Sequence, residues 1–479
     1  MNKTFRAHPL MILNLLKPFL FVLLIPVARG LIQYFSTGKY DSILYFETLL
    51  IIALLLIGVL RWLCFRLILN EENHTITIIS GLFFRKVAKI NVERLSSVQS
   101  KQNPIEYLLR AVTYRINTEA GTLGKADYEF KLSVKSSREV SILLYGKEDN
   151  TKIKYSVYKI AVLAATTSSA FTGIIVAVPL IYRAGLLLEV AISDMLINEI
   201  NSVSQKIENY FPPVVNSISL ILLASYVFSF FYSLFKYLNF QLCLGKNKIE
   251  MRAGIVVRNR TAFKKSAINN VRIEQSFLML LLKRFAMRVS VGGYGESRSR
   301  SEVVIPLEKA QEIRKHFAEY LPFFKGDTGV IVKPRATMIN RSRFLFFPMI
   351  YFIVACAAAI ILGLYFEDFT RFTLFCLCVV CAIIFIHAWF SLFECFKGKV
   401  DFGDNIFIRS RKGFRTCELY CPKENIGEIK IIRFPPDKWH KTCRLRITVR
   451  SERADSLCVR HLDYETTKKI VSEYFNVKV

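Results

Sequence analysis

Apolar and polar positions along the chain fall into two alternating regimes. Long apolar runs come in pairs: 18–34 with 43–63, 160–181 with 214–237, and 344–365 with 372–393. Alone or with adjoining residues, each is long enough to cross about 30 Å of hydrocarbon as a helix. Six transmembrane helices in three hairpins are therefore expected. Between the pairs, short runs alternate with period two and are separated by turn sequences such as NEENH and TLGKAD, which predicts antiparallel strands. In the first such stretch these are Phe65–Leu69, His74–Ile79, Leu82–Val87, Thr113–Asn117, Tyr128–Val134 and Val140–Leu144. Ile105, Leu108, Leu109 and Val112 recur at helical spacing, as do Leu281, Leu282 and Phe285; both stripes are expected in a domain core. A terminal helix is expected over Tyr464–Phe475. The resulting division is hairpin 1 (1–65), domain 1 (66–150), hairpin 2 (151–238), domain 2 (239–325), linker and hairpin 3 (326–395) and domain 3 (396–479). Within hairpin 2, residues 183–211 form an amphipathic external segment.

The polar stretches are copies of one another, a pattern that sets the architecture. Gly81, Arg85, Val98, Gln102, Leu108, Leu109 and Arg115 align without a gap onto Gly254, Arg258, Val271, Gln275, Leu281, Leu282 and Arg288. A worn third copy runs through Gly413, Ile426, Ile429, Pro435, Arg446 and Ile447, one residue shorter after its glycine and with Arg433 in place of the glutamine.

Charge orients this arrangement. The 479 residues carry a formal charge of +28 and are 52% hydrophobic. The expected external loops are neutral or acidic, with 183–212 at net −2, so the remaining segments hold the whole positive excess. That bias places both termini and the three β domains in the cytoplasm. It also accounts for the basicity without nucleic acid. Eleven cysteines, an odd number and partly inside apolar runs, read as reduced thiols.

The paired spans followed by a β domain, with the strings from Val98 to Gly121 and Val271 to Gly293, resemble the bacterial pleckstrin-homology-like membrane proteins (the bPH2 family, YdbT type). The resemblance implies a PH-like fold in each domain, a bent antiparallel sheet plus a helix. It places the protein in the bacterial inner membrane as a multi-pass protein. It also implies a role in envelope maintenance or resistance to membrane-active compounds, and a smaller single-domain PH-like relative as membrane protein partner.

No phosphate loop, HExxH, GxSxG or intramembrane acidic pair is present, so no enzyme, cofactor or metal site is expected. The expectation is a non-enzymatic scaffold that binds partner proteins or anionic lipid; the alternative is a transporter or lipid-translocation component. Candidate contacts are the cations near the repeated glycine: Arg85, Lys86 and Lys89 in the first copy, Arg258, Arg260, Lys264 and Lys265 in the second. Beside an anionic leaflet each would add about 1 kcal/mol of attraction. Gln102 and Gln275 precede apolar helical turns, where an amide side chain caps backbone groups or meets a ligand. Cys417, Cys421, His440 and Cys443 are a weaker zinc-like set, and His387 is an isolated ionisable group in the sixth apolar run.

Overall fold

The computed structural model describes residues 2–12, 42–82, 84–118, 126–145, 151–168, 213–245, 247–291, 302–324, 329–335, 337–365, 370–450 and 455–476. Three units follow one plan. Unit 1 has strands β1 (Asn2–Arg6), β2 (Arg66–Asn70), β3 (Thr75–Ser80) and β4 (Lys86–Asn91), then β5 (Leu95–Gln102), β6 (Ala111–Thr118) and β7 (Tyr128–Ser133). Helix α1 (Ser42–Cys64) lies between β1 and β2, the short α2 (Pro104–Leu108) follows β5, and α3 (Val134–Tyr145) closes the unit. Unit 2 repeats this with β8 (Thr151–Lys154), α4 (Val157–Thr167), α5 (Pro213–Tyr237), β9 (Gln241–Leu244), β10 (Lys248–Ala253), β11 (Arg258–Lys264), β12 (Ile268–Ser276), α6 (Phe277–Leu281), β13 (Arg284–Val291), β14 (Glu302–Lys309) and α7 (Ala310–Tyr320). Unit 3 has β15 (Val330–Val332), α8 (Met338–Tyr365), α9 (Thr370–Lys397), β16 (Lys399–Phe402), β17 (Asn405–Arg411), β18 (Arg415–Pro422), β19 (Ile426–Ile432), α10 (Pro435–Trp439), β20 (Thr442–Val449), β21 (Asp455–Asp463) and α11 (Tyr464–Phe475).

Each unit therefore begins with a strand placed before its apolar helices: β1, β8 and β15 pair with β2, β9 and β16 across the insert. A four-stranded sheet and a three-stranded sheet face each other, and the last helix packs between their edges. Leu67, Ile76, Tyr114, Phe130 and Val140 fill the first core; Ile249, Val271, Met287, Ile305 and Phe317 the second; Ile408, Leu419, Ile447, Val459 and Val471 the third. Val140–Leu144, expected as a strand, lies in α3. Val140 and Leu144 are the buried pair one helical turn apart, and the residues between them alternate for another reason: they straddle the helix's wet side.

The units are joined by backbone pairing. β5 of unit 1 pairs antiparallel with β11 of unit 2, so that the order β7-β6-β5-β11-β10-β9-β8 is one seven-stranded sheet. β12 pairs with β18 in the same way and builds a second seven-stranded sheet. The registers are equivalent: Ala262 faces Val98, and Tyr420 faces Val271. Each following unit also lends a side chain to the preceding core, Ala262 to the first and Tyr420 to the second, where its ring meets Phe317 at 4.5 Å.

The expectation of six transmembrane helices in three hairpins is corrected. Among the described residues two helices are long and apolar enough to cross a membrane, Arg341–Tyr365 and Cys376–Lys397, the pair inserted in unit 3. The described apolar parts of the other inserts, Ile52–Cys64, Val157–Thr167 and Ile221–Tyr237, are shorter. In α4 the apolar character serves packing: Leu163 is buried with Met279 and Leu307, and Lys159 reaches buried Glu308 at 2.5 Å. The first expected span and the amphipathic segment 183–211 lie outside the described residues.

The inserted pair of unit 3 is fastened to its β domain by buried charge. Glu394 on α9 accepts from Arg460 through both the backbone N–H and the guanidinium, and Arg411 lies 3.3 Å away. Burial, and then the neighbouring Arg460, push Arg411 down to about 10 while Glu394 opposes the shift. Arg343 on α8 donates to Asp437 and to Thr442, and His461 lies 3.7 Å from the same carboxylate. Burial, then Arg343, push His461 down to about 3, with Arg460 and Arg444 adding to the effect and Asp437 opposing it. The unfolded chain thus takes up a proton below its ordinary value of 6.5 that the folded chain refuses. Stability from this group is complete above pH 6.5 and is lost as pH falls towards 3, at about 1.4 kcal/mol per pH unit. The thermal midpoint is expected to fall between pH 6 and pH 4, and to fall less in His461→Asn, a residue that tolerates the left-handed backbone (φ 57°) found there.

Candidate functional site

The junction between units 1 and 2 holds a cavity of about 540 Å³. Its walls are β5, β6 and α3 of unit 1 and the β10–β11 hairpin of unit 2. The hairpin can fold back so tightly because Gly254 adopts φ +94°; a Cβ there would lie 2.0 Å from the Val257 carbonyl oxygen. The turn throws Ile255 and Val256 outward and starts β11 with Arg258 at the cavity.

Five cations line the space: Lys101, Arg138, Arg252, Arg258 and Arg260. One buried carboxylate, Glu250, accepts from Arg252 at 2.6 Å and from Arg260 at 2.6 and 3.1 Å. Arg260 also stacks on Tyr145 at 4.0 Å, and Arg258 on Tyr107 at 4.7 Å, both across the unit boundary. These contacts order the two guanidiniums while the cavity keeps a large positive excess. Exposed apolar side chains flank it: Ile105 and Leu108 on α2, Ile255 and Val256 on the turn.

At the second junction a hollow of about 10 Å³ lies on the face of the sheet turned to α4, lined by Thr166, Thr167, Glu274, Ala286 and Arg288. Glu274 stands where β5 has Lys101 and pairs with Arg288 at 3.4 Å and Arg415 at 3.5 Å.

Of the residues singled out from the sequence, the structure brings Gln102, Arg258 and Arg260 to the cavity. Gln102 donates to the Ala111 carbonyl at 3.0 Å, and Gln275 donates to the equivalent Arg284 carbonyl at 3.1 Å, so each side chain ties its strand to the next across the short helix. Lys264 donates to the Glu93 carbonyl of unit 1 and is a junction contact. Lys265 is half-buried beside it, and burial lowers its pKa. Arg85, Lys86 and Lys89 are exposed at the outer edge of unit 1, away from the cavity. Lys101, Arg138 and Arg252 were missed. Arg138 sits on a helix that alternation disguised as a strand, and Arg252 on the strand preceding the repeated glycine. Lys101 offered one signal, since its counterpart Glu274 reverses the charge between otherwise matching copies.

Of the apolar stripes expected in the core, Val112 and Phe285 pack partly buried against it, while the short-helix members are on the surface: Leu108 is 80% and Leu281 65% exposed. In the five-residue helices α2, α6 and α10 the side chain turned inward is the third one, Glu106, Met279 or Asp437. Unit 3 shows which way this end of a unit points. Phe414, in the turn after Gly413, meets His387 of α9 at 6.0 Å, and α10 holds Arg343 of α8. The short helix and the glycine turn thus lie at the end where the membrane-length helices leave the unit. His387 contacts Arg411 at 3.3 Å. Cys417, Cys421 and Cys443 are packed in the third core, where burial raises Cys421 to about 12 and Cys443 to about 11, and they form no ligand cluster with His440 among the described residues.

Two segments of the chain, residues 19–159 and 163–321, each match the family model of the bacterial PH domain. They cover units 1 and 2 and both walls of the cavity; unit 3 lies outside them. No curated protein matches the chain.

Proposed function

Since the chain belongs to the bacterial PH domain family, we propose that it is a non-enzymatic, membrane-anchored scaffold whose first inter-unit cavity takes an anionic lipid headgroup. α8 and α9 would anchor it, with the three units on the cytoplasmic side of a bacterial inner membrane, where anionic lipid is available. The observation that carries the reading is the cavity of about 540 Å³ at the first junction, lined by five cations with one buried carboxylate, Glu250, beside them. Apolar side chains at the cavity rim, on the end from which the anchor helices leave, suit a headgroup that remains attached to a bilayer. Partner proteins would use the remaining surfaces of the scaffold.

The test is titration of the detergent-solubilised full chain with dioctanoyl phosphatidylglycerol and with dioctanoyl phosphatidylcholine. Saturable binding of the first only is expected. Arg138→Ala/Arg258→Ala removes two exposed cations, and at about 1 kcal/mol each should weaken binding roughly 30-fold. Arg260 is left in place because it supplies two of the hydrogen bonds that hold buried Glu250. Equal binding of the two lipids, or an unchanged affinity in the variant, would refute the assignment.

A further inference from the structure

The head-to-tail pairing that joins the units stops at two open strands. Within the chain, the first strand of each three-stranded sheet takes the fourth strand of the next unit: β5 takes β11, and β12 takes β18. By the same rule β4 of unit 1 and β19 of unit 3 are the positions left without this pairing among the described residues. Both are terminal in their sheets among the described residues, β4 in the order β1-β2-β3-β4 and β19 in the order β19-β20-β21. The other terminal strands, β7, β14 and β21 at one end and β1, β8 and β15 at the other, are terminal in every unit. Among the described residues, β4 and β19 are the terminal strands whose counterparts in other units are paired.

We propose that β19 of one copy of this chain pairs with β4 of a second copy, continuing the internal junction between molecules. The internal register fixes the pairing. Val98 faces Ala262 and Val271 faces Tyr420, so Ile429 faces Lys89, Lys430 faces Ala88, Ile431 faces Val87 and Ile432 faces Lys86. Val87 is 59% exposed on its edge, and Ile429, Ile431 and Ile432 are half-buried on theirs. Lysines on an edge strand ordinarily discourage pairing. Here they do not decide the matter, since β11 carries Arg258, Arg260 and Lys264 and is paired along its length. The arginine brought opposite Arg85 is Arg433, which is held over the Tyr464 ring at 3.9 Å, clear of the strand end. Joining one molecule's tail to the next one's head is a heterologous contact, which makes open chains or closed rings and not a two-fold dimer.

The experiment uses the full chain in detergent and in nanodiscs large enough for several copies. Wild type is expected to show masses at twice the chain mass and above, rising with concentration. Val87→Glu/Ile431→Glu sets like charges against each other at every junction between copies, as does Val87→Lys/Ile431→Lys. Each variant alone should run as a monomer, and an equimolar mixture should recover assembly, which misfolded variants could not do. A second readout is oxidation of a Lys89→Cys chain mixed with an Ile429→Cys chain, which should give a cross-linked dimer that neither forms alone. A wild type that stays monomeric throughout, variants that assemble as well as wild type, or a mixture that does not recover, would overturn the proposal.

Discussion

Glu106→Met is expected to cost roughly 3–5 kcal/mol, and Glu106→Met/Thr113→Ala/Lys131→Leu to cost little. Glu106 is 4% exposed at the third position of α2. It accepts from Lys131 at 2.6 Å, from Thr113 at 2.7 Å and from the Asn103 backbone at 3.0 Å. Burial alone would raise its carboxyl pKa; the Lys131 bond, then the backbone and Thr113 bonds, bring it below the usual value. Removing the carboxylate alone leaves the Lys131 ammonium, 9% exposed, without its charge partner. The repeat supplies the compensated alternative. At the positions of Glu106, Thr113 and Lys131, unit 2 has Met279, Ala286 and Leu307, which pack together with Leu163. Unit 3 has Asp437, Arg444 and His461. One backbone thus carries a buried ionic set in two units and an apolar set in the third. Equilibrium unfolding of the single and triple variants distinguishes the two costs. A single variant as stable as wild type would mean that Lys131 reaches water when unpaired.

The second large effect is expected at Glu394. Glu394→Ala removes the acceptor for Arg460 and the partner of Arg411, both of which hold their charges mostly buried at the foot of α9. A loss of about 3–5 kcal/mol is expected for breaking such a buried set from one side. The effect should be local. Unit 3 should loosen from α8 and α9, while units 1 and 2, which share none of these contacts, keep their protection. Hydrogen exchange along β17 and β21 against β5 and β12 measures this directly. Uniform exposure of all three units would show that Glu394 is not a local fastening.

Much of this was legible in the sequence. The glycine-led repeat marked the three units, because Gly81, Gly254 and Gly413 all need positive φ. The terminal helix of unit 3 was also readable over Tyr464–Phe475; in the structure Asp463 caps it. What hid was the joint between units. β5, read as no strand at all, is LSSVQSKQ, with little apolar alternation, because its partner on one side is another unit's strand and its faces are covered by polar side chains that bond across the junction, such as Gln99 to Asn259 at 3.0 Å. The cavity hid for the same reason, since its cations come from two copies of the repeat far apart in the chain. The span count failed at α4, where apolar residues such as Leu163 pack on protein, and the short-helix stripes failed because five residues have too few turns to say which side is dry.

Placing each pair of apolar helices after the first strand of its unit has a consequence for how the protein is made. β15 leaves the ribosome before α8 and α9, yet its partner β16 follows them: Val332 pairs with Val400. The unit cannot close until the intervening helices are synthesised and turned back to the side where they began. If α8 and α9 anchor the protein in a membrane as proposed, a hairpin that inserted only one of them would strand β15 and β16 on opposite faces of the bilayer. On the proposed membrane reading, closure of unit 3 would report that α8 and α9 have been delivered together, and the order of synthesis would become a checkpoint on insertion.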